Sequence, residues 1–379
     1  MNPPLQPIRM VDLKGQYQKI KGEVDQAIQS IIDATAFVKG KEVKLFEENL
    51  RQYLDAKHVI ACGNGTDALQ IALMALNLNE GDEVITSPFT FIATVEVIAL
   101  LNLKPVFVDV DPDTFNFNVQ EIEQKITSKT RVILPVHLFG QCANMEQIRI
   151  IAQKHNLYVI EDNAQTIGAD YSFSNGYKQK AGTIGDIGCT SFFPSKNLGA
   201  FGDGGAIITN NDELAVKIRA IANHGMERRY YHDYIGVNSR LDGIQAAILN
   251  VKLKSLNDYI KTRQKAAGFY DKSLQLIDSI QIPGRTKSST HVFHQYTLKV
   301  ADNLRDELQK HLKSKDIPSM IYYPVPLHLQ EAFKHLGYKQ GDFPIAEELC
   351  KEVLSLPMHT ELTNEQLQYI TDSIKEFFQ

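Results

Sequence analysis

The chain has 379 residues, 43% of them hydrophobic and 22% charged. That size and mixture belong to a globular protein of about two domains and argue against disordered and membrane classes. A net charge of −5 argues against a nucleic-acid surface, so no nucleic-acid partner is expected.

The opening stretch MNPPLQPIRMVDLKGQYQKIKGEVDQAI lacks a basic-then-apolar leader. No run reaches the roughly eighteen apolar residues that span a bilayer. TVEVIALLNLKPVFVDV comes nearest and is cut by Glu96, Asn102 and Lys104. A cytoplasmic location without a membrane partner is expected.

From about Val59 to Asn210, strand-like runs (HVIAC, EVITSP, KPVFVDV, RVILPVHLFG, LYVIED, GCTSFF, GAIITN) alternate with helix-like ones such as TDALQIALMALNL and MEQIRIIAQKHN. Apolar strands alternating with helices predict an α/β fold, with a mostly parallel central sheet covered by helices on both faces. The helix after the first run is apolar almost all round, from Ala68 to Leu76, and belongs inside the molecule. After Arg240 comes a long helical stretch. Ala246, Leu249, Leu253, Leu256 and Ile260 recur in it at three- and four-residue steps. The remainder reads as a smaller α+β unit. The expected division is a large α/β domain over 1–260, including an N-terminal helical segment, and a small C-terminal α+β domain over 261–379. Cys62, Cys142, Cys189 and Cys350 lie far apart and read as buried free thiols, with no metal site suggested.

Gly63, Gly65 and Ala68 match G-x-G-x-x-A, the dinucleotide-binding fingerprint. That reading requires an acid at the end of the second strand. EVITSPFTF ends instead in Ser87, Pro88, Phe89 and Thr90, and Glu83 stands at the wrong end, so the nicotinamide reading is rejected. A narrower one survives: glycines that let backbone N–H groups approach a phosphate at the positive end of a helix. Thr66 or Asp67 could cap that helix, and an ordinary capped glycine turn would look the same.

Two further residues change the balance. Asp162 closes NLYVIED, and ligands of open α/β sheets gather at the carboxyl ends of strands. Lys196 lies between the apolar strand TSFF and a glycine-rich segment; in a partly desolvated pocket its amine can become a nucleophile. A phosphate loop, a strand-end carboxylate and such a lysine are what pyridoxal phosphate needs. The lysine takes the aldehyde, and the carboxylate keeps the ring nitrogen protonated.

With these residues in place, GNGTDAL, EDNAQTIGA, SFFPSKNLGAFGDGGA, GVNSRLDGIQAAIL, YYPVPLHLQ and SLPMHTELTNEQ resemble, in order, the sugar-nucleotide aminotransferases of the DegT/StrS type. These are fold type I pyridoxal-phosphate enzymes, and the likeness spans essentially the whole chain. It implies that Lys196 holds the cofactor and then shuttles protons. Asp162 would pair with the pyridine nitrogen, Gln165 with the ring hydroxyl, and Phe91 would stack on the ring. Gly65, Thr66 and Ser191 would bind the phosphate, with Asn238 reaching it from the partner of a homodimer that shares its sites. An amino acid, L-glutamate, would donate the amine to a nucleotide-linked ketosugar. The paired arginines resemble the branch acting at C-3, on UDP-2-acetamido-3-keto or dTDP-3-keto-6-deoxy sugars. The product would serve cell-surface polysaccharide or lipopolysaccharide; a 4-keto substrate is the alternative.

For the sugar nucleotide, Arg228, Arg229 and Tyr231 offer cations and a stacking ring, and Tyr323 and His328 lie in YYPVPLHLQ beside Tyr322. Several of these could instead line the dimer interface. A non-catalytic regulator on the same scaffold is the reading from another class, and it would have no use for Lys196, Asp162 and Gln165 together.

Overall fold

The computed structural model describes residues 6–379. Helix α1 (Leu13–Ala34) starts at Asp12, whose carboxylate accepts from Gly15 N at 3.0 Å. Helix α2 (Lys41–Leu54) turns Phe46, Leu50 and Leu54, spaced four apart, into the core. Strands and helices then alternate: β1 (His58–Cys62), α3 (Gly65–Ala75), β2 (Glu83–Thr86), α4 (Ala93–Leu100), β3 (Lys104–Phe107), α5 (Val119–Lys125), β4 (Thr130–Ile133), α6 (Met145–His155) and β5 (Tyr158–Asp162). A small hairpin, β6 (Asp170–Ser172) and β7 (Lys178–Lys180), precedes β8 (Ile187–Ser191) and β9 (Gly205–Thr209).

The seven-stranded sheet has the order β1-β9-β8-β5-β4-β2-β3. It is mostly parallel, as the alternation predicts, and its fully buried strands carry continuous apolar runs. Strand β9 is the exception and runs antiparallel to both neighbours. No helix lies between β8 and β9 to carry the chain back across the sheet, so it returns in the opposite direction.

Helices α3 and α4 cover one face with α7 (Asp212–Ile221), burying Leu69, Ile71, Val97 and Ile218. The other face is covered by α2, α6 and α8 (Gly243–Leu253). The long run after Arg240 is two helices, broken at Lys254–Ser255 before α9 (Leu256–Leu274). Leu256 and Ile260 of α9 belong to the same core as α8, whereas Ala266, Ala267, Tyr270 and Leu274 belong to another.

An exposed ribbon, β10 (Met226–Arg228) with β11 (Tyr231–His232), precedes α8. The second core is built around the antiparallel sheet of β12 (Ile280–Gln281), β13 (Tyr296–Val300) and β14 (Val353–Leu356). It is closed by α10 (Arg305–Ser314) and α12 (Asn364–Phe377), whose Thr363 cap forms a reciprocal pair with Gln366. Helix α11 (Pro344–Glu352) leads into β14. The four cysteines are free and buried. No helix among the described residues is long and apolar enough to cross a membrane.

Candidate active site

A cavity of about 610 Å³ opens at the carboxyl ends of β1, β5 and β8. Gly65, Thr66, Asp162, Ser191 and Lys196 all reach its wall, from segments far apart in the chain.

The glycine loop supplies one end. Asn64, rather than Thr66 or Asp67, caps α3: its Oδ1 accepts from Asp67 N at 2.8 Å and its backbone carbonyl from Ala68 N at 3.1 Å. The amides of Gly65 and Thr66 are left at the positive end of the helix, the arrangement that receives a phosphate. The first turn also lies hard against β8, for a Cβ on residue 65 would sit 2.7 Å from Ser191 Cβ. Glycine there is what brings the Ser191 hydroxyl beside those amides.

Asp162 is 5% exposed and ends β5. Thr94 Oγ1 donates to its Oδ2 at 2.8 Å and Ala164 N to its Oδ1 at 3.2 Å. Burial pushes the carboxyl above its ordinary range, while those two donors and the positive charge of Lys196 pull it back. The strand end is anchored through its neighbour. Glu161, wholly buried, accepts from the amides of Gly182, Ile184 and Gly185 at 2.9, 2.6 and 2.6 Å and lies 2.8 Å from His137 Nε2. His137 Nδ1 accepts from Ala143 N, so the ring donates through Nε2.

Lys196 sits in the turn after β8 with no hydrogen-bond partner for its amine among the described residues. Burial lowers its pKa to about 8, against the opposing pull of Asp162. Gln165 is held at both ends of its amide. Oε1 accepts from Phe139 N at 2.8 Å, and Nε2 donates to Tyr323 Oη at 3.3 Å. Phe91 lines the cavity with half its surface exposed, its ring 6.5 Å from that of Tyr323.

Other sequence candidates lie elsewhere. His328 does not reach the cavity; it is buried 3.1 Å from Glu347 Oε1 and edge-on to Phe343. Arg228, Arg229 and Tyr231 stand on the exposed ribbon, the Arg228 guanidinium 3.5 Å above the Tyr231 ring. Asn238 is exposed, bridges to Asn223 and does not line the cavity of its own chain.

The cavity also includes residues that no motif singles out: Thr90, His294 and Gln295. His294 is buried, with Nδ1 unpartnered. Burial and the positive charges of Lys196 and Arg263 hold it well below the ordinary histidine range. It arrives from the loop leading into β13, nearly a hundred positions after Lys196, and no local spacing could have announced it. Thr90 and Thr94 do carry a signal, as polar residues four apart in an otherwise apolar run.

A helix end open to a phosphate, a fixed carboxylate and an unpartnered lysine of lowered pKa share one cavity, and these fit pyridoxal phosphate. Residues 18–375 match the DegT/DnrJ/EryC1/StrS aminotransferase family. The chain belongs to that family. As a DegT-type aminotransferase it uses pyridoxal phosphate, in agreement with the cofactor expected from the sequence. A protein of Geobacillus stearothermophilus named pleiotropic regulatory protein is 49% identical over 373 residues, 98% of each chain. The UDP-2-acetamido-2-deoxy-3-oxo-D-glucuronate aminotransferase of Pseudomonas aeruginosa is 45% identical over 363 residues, 96% of this chain and 98% of that one. Among solved structures, NtdA from Bacillus subtilis with bound cofactor PMP superposes with a TM-score of 0.90 at 30% identity, covering 100% of this chain and 86% of that one.

Proposed function

We propose that this DegT-type aminotransferase takes an amino group from L-glutamate and delivers it to the C-3 ketone of a nucleotide-linked hexose. The sugar would be of the UDP-2-acetamido-3-keto or dTDP-3-keto-6-deoxy type, on the way to an amino sugar of cell-surface polysaccharide or lipopolysaccharide. The observation carrying this reading is the meeting of Lys196, Asp162 and the start of α3 in one cavity of about 610 Å³. The P. aeruginosa relative, a 3-oxo sugar enzyme by its name, supports C-3.

Pyridoxal phosphate, when bound, supplies a carbonyl that carries the amino group and a ring that draws electrons from the reacting carbon. The protein's residues do the rest. Neutral Lys196 Nζ would hold the cofactor at its carbonyl and, freed from it, would carry the proton between the substrate carbon and the cofactor carbon. The Asp162 carboxylate keeps the ring nitrogen protonated. Gly65 N, Thr66 N and the Ser191 hydroxyl hold the phosphate. The Gln165 amide would meet the ring hydroxyl, and Phe91 would cover the ring. Asn238 completes the phosphate site from a second copy of the chain in a homodimer. The ribbon carrying Arg228, Arg229 and Tyr231 comes with it to meet the substrate diphosphate and base. Tyr323 borders the sugar. A single site serving donor and acceptor in turn gives ping-pong kinetics.

The test is a half-reaction screen. The enzyme is converted to its pyridoxamine phosphate form by glutamate, then offered UDP-2-acetamido-3-keto, dTDP-3-keto and 4-keto sugars. The absorbance of the aldehyde form should return with a 3-keto sugar; return with 4-keto sugars alone would sink the C-3 assignment.

A further inference from the structure

Asp162 is a buried carboxylate that must stay ionised if it is to accept from a ring nitrogen. Burial opposes this, because the charged form is the one that loses most on leaving water. The structure supplies a compensating donor that the chemistry above does not name. Thr94, in the first turn of α4, is fully buried, and its hydroxyl lies 2.8 Å from Asp162 Oδ2.

A threonine hydroxyl has one proton to give. With an ionised carboxylate as partner, Thr94 must donate. At its 3.2 Å contact with Thr90 Oγ1, Thr94 is therefore the acceptor and Thr90 the donor. The bonds run one way: Thr90 to Thr94 to Asp162. Ala164 N serves the other carboxylate oxygen at 3.2 Å. Each oxygen thus has one fixed donor and keeps a lone-pair site. Thr90 stands in the cavity wall and Thr94 behind it.

We propose that Thr94 is a positioning residue for transamination: its hydroxyl, itself held by Thr90, keeps the Asp162 carboxylate charged and aimed so that it accepts from the cofactor's ring nitrogen. The proposal rests on the reading of Asp162 given above. A hydrogen bond to a charged group is about twice as strong as one between neutral groups, so its loss should be felt at the ring and not only in packing. Buried threonine can also be present for its methyl group alone, and the two roles separate experimentally.

The experiment binds pyridoxal phosphate labelled with nitrogen-15 in the ring and reads the ring-nitrogen chemical shift at neutral pH, alongside kcat and KM. Wild type is compared with Asp162→Asn, Thr94→Val, Thr94→Ser and Thr90→Val. Asp162→Asn should move the shift towards that of an unprotonated ring. Thr94→Val should move it the same way and lower kcat about tenfold or more, with KM for both substrates unchanged. Thr94→Ser should match wild type, and Thr90→Val should shift less than Thr94→Val. A wild-type shift in Thr94→Val, or a Thr94→Ser variant as impaired as Thr94→Val, overturns the relay while leaving Asp162 in place. An unchanged shift in Asp162→Asn overturns the reading of Asp162 and the relay with it. Should Thr94→Val not fold, Thr90→Val decides, since a wild-type shift and kcat there also overturn the relay.

Discussion

Burial without a hydrogen-bond partner brings the Lys196 amine down to about 8, and the sign of its pH response follows. Below that value the amine is protonated and cannot attack an aldehyde; above it the neutral form dominates. Covalent capture of pyridoxal phosphate by the apoprotein should therefore rise about tenfold per pH unit up to about 8 and then level. Stopped-flow absorbance reads that rate. Lys196→Ala should still bind the cofactor but give no borohydride-reducible link, and a link that survives in this variant refutes the role. Asp162→Asn removes the opposing charge from the ring nitrogen and not the pocket itself. Cofactor content should hold while kcat falls by about 10²–10³. Both residues were legible in the sequence because each stands at a strand exit, where a local motif marks it. Thr94 showed only as a polar position in an apolar run, and His294 not at all. Their importance lies in whom they meet, and Asp162 is separated from Thr94 by 68 positions that include β3, α5, β4 and α6.

The elements around the cavity are held by buried cations that no sequence pattern singles out. Arg263 on α9 is 3% exposed, and its Nη1 donates to the carbonyls of Phe293 and Met358 at 3.0 and 2.9 Å. Burial lowers its pKa to about 10, so it remains charged at neutral pH. Lys252 on α8, also buried, donates to the carbonyl of Gly199, three residues beyond Lys196. The helical periodicity correctly placed both residues on helices. It could not show that two positions in a polar-looking run point inward, because their partners are carbonyls from loops distant in sequence. The break at Lys254–Ser255 was likewise invisible, since neither glycine nor proline marks it. Arg263→Ala should cost about 3 kcal/mol or more in chemical denaturation, as it strands buried carbonyls and opens a void. Arg263→Lys should recover part of that. If Arg263→Ala unfolds like wild type, the carbonyl contacts contribute little to stability.

At the scale of the molecule, the sequence candidates outside the cavity, His328 apart, share one property. Arg228, Arg229, Tyr231 and Asn238 lie on an exposed segment that also displays Tyr230 and Ile235, the latter 88% exposed. Aromatic and aliphatic side chains left so open among charged ones suit an interface between chains. A twofold dimer would carry the segment to the cavity of the second copy while receiving the same segment in return. The family resemblance implied a partner's cavity for Asn238 and left the arginines and Tyr231 between substrate and dimer interface. Complementation separates the two possibilities. In a shared site, Lys196→Ala and Asn238→Ala would each disable a different half. In a mixed dimer one site carries both lesions and the other carries neither. Random assortment makes half of the dimers mixed, each with one intact site of two, so co-expressed variants should regain about a quarter of wild-type activity. The mixed dimers can be isolated with two affinity tags and assayed with the acceptor found in the half-reaction screen. If each site were built within one chain, every subunit would remain defective, and the mixture would be no more active than its parents.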